Sequence, residues 1–316
     1  MTTLFEVLRE AGRRGEETLA QGGELAGLGL EQPQASSGPD IGEMLMHHLV
    51  DEPYVELPGF IWALPQWAPI QIGGLSIDLS PTKHVFFLLV AAIVVTVFLI
   101  SVARTVERQE RGRAPSGLAN AIEAIILYFR DEIVRRNIGH GGDAFTPFIL
   151  TLFFFILTLN LLGLVPWGSA ATGNLSVTAG LAVVSLIVIE VSGFKALGPR
   201  GYAKTIFYAP KGLGPVGQGL MLLIMTPVEL LGKVAKPFAL AMRLFANMTA
   251  GHTVMLSLVG LIFVFGDLPI GRWGIAAGSV GMSMFLMVLK IFVCALQAYI
   301  FSMLTSVFIG LIRHSH

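Results

Sequence analysis

The chain has 316 residues, 54% of them hydrophobic and 13% charged, and its Lys and Arg balance its Asp and Glu to a formal net charge of zero. The charged share is about half that of soluble domains, the mean hydropathy is +0.73, and the apolar residues come in long uninterrupted blocks. That pattern excludes an ordinary soluble domain with one or two cores, and the zero net charge gives no reason to expect a nucleic acid or other polyanion as partner.

In chain order, residues 1–40 carry Arg13, Arg14, Glu16, Glu17 and several glycines. They lack an apolar core of roughly 7–15 residues, which argues against a conventional signal peptide and leaves disorder or a loose helix. Residues 41–50 can form one short amphipathic helix. His47 and His48 stand there beside Asp51 and Glu52. Adjacent histidines point to different helix faces, so a metal site is not expected. Residues 53–80 contain Pro53, Pro58, Pro65 and Pro69 and then Gly73-Gly74, and read as an extended lead-in at a membrane surface. Residues 1–80 together form an extramembrane N-terminal arm and residues 81–316 a membrane domain.

A bilayer needs roughly 20 apolar residues per helical span. The first span runs from about His84 to Ala103, within a helix of about 84–108, and is followed at once by Arg104, Arg108, Arg111 and Arg113. Residues 116–137 mix Ile122, Ile125, Ile126, Leu127 and Phe129 with Glu123, Arg130, Asp131 and Arg135. That is too polar to span and fits an interfacial amphipathic helix. A second span covers about 144–165, an uncharged loop follows, and a third covers about 175–194. Lys195, Arg200, Lys204 and Lys211 then occupy a Gly/Pro-rich loop. Two long helical blocks remain, 216–265 and 273–312, joined at Gly266-Asp267-Leu268-Pro269 and Gly271. A helix of ~40 residues is ~60 Å long, about twice the hydrocarbon thickness, so the pair is expected as a steeply tilted hairpin. The fold class is thus an all-α integral membrane protein with about five embedded helices and one interfacial helix. The single cysteine, Cys294, lies inside the last block as a small packing residue. Positive charge concentrates after the first and third spans, so the positive-inside rule puts residues 104–143 and 195–215 in the cytoplasm. The N-terminal arm, with Asp51, Glu52, Glu56 and Asp78, then lies outside, and the C-terminus, with Arg313, in the cytoplasm.

Few polar groups interrupt the last two helices. Between Phe238 and Phe265 only Arg243 and His252 are ionisable. A charge inside the bilayer is costly and marks a functional site by default, whereas an arginine near a helix end can snorkel to a headgroup. Position alone leaves both open. At 100° per residue, Glu229, Lys236, Arg243 and Asn247 fall within about 40° of one line, and His252 about 180° from Arg243. Ser283, Lys290 and Gln297 form a second stripe at seven-residue spacing, which also suits polar residues that join helices together. Glu190, near the end of the third span, is either an interfacial carboxylate or part of a proton path.

The string Lys236-Pro237-Phe238-Ala239-Leu240-Ala241-Met242-Arg243-Leu244-Phe245-Ala246-Asn247-Met248-Thr249-Ala250-Gly251-His252 resembles a signature of the subunit a family of F-type ATP synthases. Leu296-Gln297-Ala298-Tyr299-Ile300-Phe301 is similar to the second signature of that family. The resemblance implies a stator subunit packed against a rotating ring of c subunits, each with a membrane carboxylate, and two offset proton half-channels. Its implied partners are the c ring, the b-subunit peripheral stalk, indirectly the soluble catalytic head, and membrane lipids. On that resemblance Arg243 separates the channels, and Asn247 orients water or the incoming carboxylate. Gln297 hydrogen-bonds near Arg243, His252 serves the outer route and Glu229 the cytoplasmic one. The family usually has Glu or His seven residues before the glutamine, where this chain has Lys290, so a missing acid is expected to come from Glu190, paired with Lys290, or from another subunit. The expected location is a bacterial inner membrane, since mitochondrially encoded relatives are shorter and lack such an arm. No GxxxxGK[ST] loop occurs, so the chain alone is not a catalyst, and no cofactor or metal is implied. A secondary transporter would show an internal repeat, and none is visible. A proton-conducting subunit of another complex is the remaining alternative.

Overall fold

The computed structural model describes residues 54–57, 60–67, 70–72, 75–77, 80–107, 117–165, 168, 170–207, 214–265 and 271–314, all within the unit that spans residues 45–316. The expected helix at 41–50, the arm before it and most of the turn at 266–271 lie outside these residues.

The segment expected as an extended lead-in instead forms two antiparallel hairpins. Strands β1 (Tyr54–Leu57) and β2 (Phe60–Ala63) pair Tyr54 with Ala63 and Val55 with Trp62. Strands β3 (Ile70–Ile72) and β4 (Leu75–Ile77) pair Gln71 with Ser76. β-branched and aromatic residues suit such strands, and the flanking prolines keep them short. Val55 is fully buried in a cluster with Leu64, Phe87, Ala91, Leu159 and Ala171, which anchors the first hairpin to the helices.

Helix α1 (Lys83–Glu107) buries Phe87, Ala91, Val95 and Val102 and exposes Leu89, Ile93, Val97 and Ile100. The buried set recurs at helical spacing, so one stripe meets the other helices and the rest needs an apolar solvent. Helix α2 (Leu118–Tyr128) continues as a π-helical segment, Phe129–Arg135, and a closing turn, Arg136–Ile138. Wider π turns loosen the regular ladder; here the Ile133 carbonyl accepts from Asn137 Nδ2 at 2.7 Å and from Ser306 Oγ at 3.2 Å. Arg135 pairs with Asp131 at 2.9 Å and with Asp143 at 2.8 Å. The hydrogen bond from Arg130 holds the exposed Asp131 carboxyl below its ordinary value.

Helix α3 (Thr146–Leu162) supplies the centre of the core with Ile149, Phe153, Ile156 and Leu159. Helix α4 (Leu175–Ile206) runs well past the expected end of the third span. Its backbone breaks only at Gly198, with φ 68°, and resumes at Pro199. Proline suits the first turn of a helix, where its missing N–H is not needed. Lys195, Arg200 and Lys204 therefore sit on helix and not in a loop.

The last two helices, α5 (Pro215–Val264) and α6 (Gly271–Arg313), match the two expected blocks. They run antiparallel: Lys236 Nζ lies 5.4 Å from the Phe308 ring centre, and Asn247 meets Gln297. Helix α6 buries Phe301, Ser302, Thr305, Ser306 and Ile309, a mostly small-residue surface that allows close approach. Among the described residues five helices, α5 and α6 included, are long and apolar enough to cross a membrane; α2 is not one of them.

Gly310 marks the tightest crossing, since a Cβ there would overlap the Asn137 carbonyl oxygen. Gly310→Val is expected to destabilise the helical core by about 1–3 kcal/mol through overpacking, read as a lower midpoint of thermal unfolding in detergent. An unchanged midpoint would show that this crossing is looser than described.

Candidate functional site

The seam between α5 and α6 brings together three of the expected residues, Asn247, Lys290 and Gln297. Asn247 Nδ2 donates to Gln297 Oε1 at 2.9 Å. Gln297 is 3% exposed, and its Nε2 has no partner among the described residues. Gln297 thus acts on Asn247, one turn from Arg243. Arg243 itself stands exposed on α5 and forms no hydrogen bond or ion pair with any described residue. Around it Ala239, Ala246 and Ala250 are also exposed, so the guanidinium rises from a shallow, small-residue surface.

Farther along the seam lies a cavity of about 240 Å³, lined by Asn160, Asn247, Gly251, Lys290, Cys294 and Gln297 among apolar neighbours. Asn160 Nδ2 donates to the Cys294 carbonyl at 3.4 Å and Asn160 Oδ1 accepts from Thr172 at 2.8 Å, all buried. Lys290 is 8% exposed, and its Nζ has no hydrogen-bond partner among the described residues. Its stem crosses α5 at Gly251, where a Cβ would stand 2.6 Å from Lys290 Cε. A larger residue there would require the end of the lysine side chain to move aside. His252 is partly buried on α5 and lines neither this cavity nor the next.

A second cavity, of about 200 Å³, lies between α4, α5 and α6 and is lined by Glu190, Thr205, Glu229, Lys233, Lys236 and Phe308, with apolar residues. Glu190 does not pair with Lys290 as expected. Its Oε2 accepts from Lys233 Nζ at 3.0 Å and from the Tyr202 hydroxyl, because α4 packs this part of its length against the first half of α5. Lys233 Nζ also lies 3.2 Å from the Tyr202 oxygen and 4.3 Å from its ring centre.

Lys233 and Tyr202 are not among the residues that the sequence pattern singles out. Lys233 follows Glu229 by one helical turn, a spacing that signals a shared face, but it lies off the seven-residue stripe. Tyr202 falls in the segment that its glycines and prolines mark as loop, whereas the helix resumes at Pro199.

The ATP synthase A chain family profile matches residues 85–310 of the chain. A protein named ATP synthase subunit a from Chloroherpeton thalassium is 42% identical over 267 residues, covering 84% of this chain and 75% of the relative. A protein of the same name from Anaeromyxobacter dehalogenans (strain 2CP-C) is 39% identical over 308 residues, covering 93% of this chain and 76% of the relative. One from Chlorobium phaeobacteroides is 39% identical over 308 residues, covering 97% and 86%.

A buried ammonium without an acceptor is destabilising. Lys290→Met, which keeps the stem and removes the charge, is expected to raise stability by at least about 1 kcal/mol, seen as a higher unfolding midpoint in detergent. A fall in the midpoint would mean that the ammonium is held by a stabilising partner.

Proposed function

The chain belongs to the ATP synthase A chain family, and from that premise we propose that this multi-pass membrane protein is subunit a of an F-type ATP synthase, coupling proton flow to rotation of a c ring. The observation that carries the reading is Arg243, an exposed cation without a partner among the described residues, set in an apolar helix.

A guanidinium stays protonated even when partly desolvated and meets a carboxylate in a fixed fork. Arg243 attracts each passing c-subunit carboxylate in its charged form, and the low dielectric strengthens that attraction. The encounter stays transient, since a permanent pair would stop the ring. The exposed alanines beside Arg243 leave space for a partner helix to come close. Asn247, held by Gln297, fixes the polar edge of the site and orients water or the carboxylate.

Two routes reach this point from opposite sides. The cytoplasmic one passes the cavity that holds Glu229 and Glu190, on the side that the positive-inside rule assigns to the cytoplasm. The outer one passes His252 and the Lys290 cavity. Histidine titrates near neutral pH and relays protons without a large driving force. Arg243 lies between the two and blocks a direct short circuit. The residues before the first span form an outer arm, the C-terminus is cytoplasmic, and the setting is a bacterial inner membrane. Nucleotide chemistry belongs to the soluble head, to which the b-subunit stalk ties this subunit.

ATP-driven acidification of inverted membrane vesicles tests the reading. Arg243→Ala is expected to lower the rate at least about tenfold, and Arg243→Lys to fail as well, because an ammonium lacks the fork and can lose its proton. Wild-type pumping by Arg243→Ala would overturn the proposal.

A further inference from the structure

We propose that Lys233 and Tyr202 are positioning residues that latch Glu190 and so set water access to the cavity at Glu229. The proposal rests on the functional reading above for its consequence, but its geometry is independent of it.

Glu190 and Tyr202 are 12 residues apart on α4. In one straight helix they would be separated by about 18 Å along the axis and could not touch. The break at Gly198, with φ 68°, turns the segment 199–206 so that the Tyr202 hydroxyl comes back to Glu190 Oε2. That φ is readily reached by glycine and strained for other residues. Lys233 arrives from α5 and donates to the same oxygen at 3.0 Å, with a side chain only 11% exposed. It also covers the Tyr202 ring, 4.3 Å from its centre, while Phe194 packs edge-on against that ring at 5.8 Å. One ammonium, one phenol and one carboxylate therefore bind three chain segments together.

The latched segment also forms cavity wall. Thr205, one turn after Tyr202, lines the cavity with Glu190, Glu229, Lys233 and Lys236. A volume of about 200 Å³ holds several waters. Lys233 neutralises Glu190, leaving Glu229 and Lys236 as the other charged groups on the lining. Glu190 therefore holds the wall of the route, and Glu229 is the carboxylate left to exchange protons with the water in it. Loss of the latch frees the segment to turn at Gly198 and opens the cavity to the aqueous phase.

The test reads water access directly, in membrane vesicles that contain the complete complex. Cys294→Ala removes the native thiol, and Leu186→Cys, one turn before Glu190 on the wall that does not move, reports access by its reaction with a membrane-impermeant thiol reagent. Lys233→Met is expected to raise the labelling rate by about tenfold. Tyr202→Phe, which keeps the ring and removes only the hydroxyl, is expected to raise it by a smaller factor of about three and serves where the lysine variant does not assemble. Glu190→Lys combined with Lys233→Glu restores the pair in reverse and should return labelling to within about twofold of the parent. Labelling unchanged by Tyr202→Phe and Lys233→Met, or equally raised in the reversed pair, would overturn the latch. Because labelling needs no pumping, that failure is separate from normal pumping by Arg243→Ala, which would overturn the functional reading alone.

Discussion

A positive charge inside an apolar helix must be neutralised, hydrated or supplied with a partner from elsewhere, and α4, α5 and α6 meet that constraint in three different ways. Lys233 is paired within the chain, to Glu190 and Tyr202. Lys290 is buried beside a cavity with no hydrogen-bond acceptor among the described residues. Arg243 is exposed on the helix surface with no partner among them. The first arrangement is complete within the fold. The second leaves the ammonium beside a mostly apolar cavity, and the third, on the function proposed above, is completed by an acid carried on another subunit.

The packing serves these differences. Small residues on α6 and the glycines at 251 and 310 let helices cross closely, which brings Asn247 to Gln297 and the Lys290 stem across α5. The same close packing keeps the two cavities apart along the seam, one near Glu229 and one near Lys290. Along α5, Arg243 stands between the residues that line one cavity and those that line the other, and it lines neither. Exposed apolar surface on α1 and along α5 is the natural boundary with lipid or with neighbouring membrane helices.

Much of this was legible in the sequence because long apolar runs announce membrane helices whatever their neighbours do. The runs around residues 84–103, 216–265 and 273–312 are helices, and that at 144–165 is helical as far as Leu162; Arg243 stands out as the one residue carrying a fixed charge between Phe238 and Phe265. The hairpins at 54–77 were not legible: each strand has three or four residues, too few for alternation to stand out between prolines. The end of α4 is not legible in sequence, because a Gly-Pro pair such as Gly198-Pro199 suits the end of a helix as well as a kink within one, and only the backbone distinguishes them. Lys233, which joins Tyr202 on Glu190, lies 43 residues from it, and the partner of Asn247 lies 50 away. Pairings of that range depend on how helices pack, which a single helix's periodicity does not contain.

The central claim is that Arg243 separates two water-accessible routes. The most direct measurement is passive proton conductance in vesicles stripped of the soluble catalytic head, under an imposed potential, with Arg243→Ala beside the parent. A barrier role predicts a conductance several-fold above the parent at equal amounts of assembled membrane sector. A conductance equal to the parent, in a sector that still contains its c ring, would contradict it.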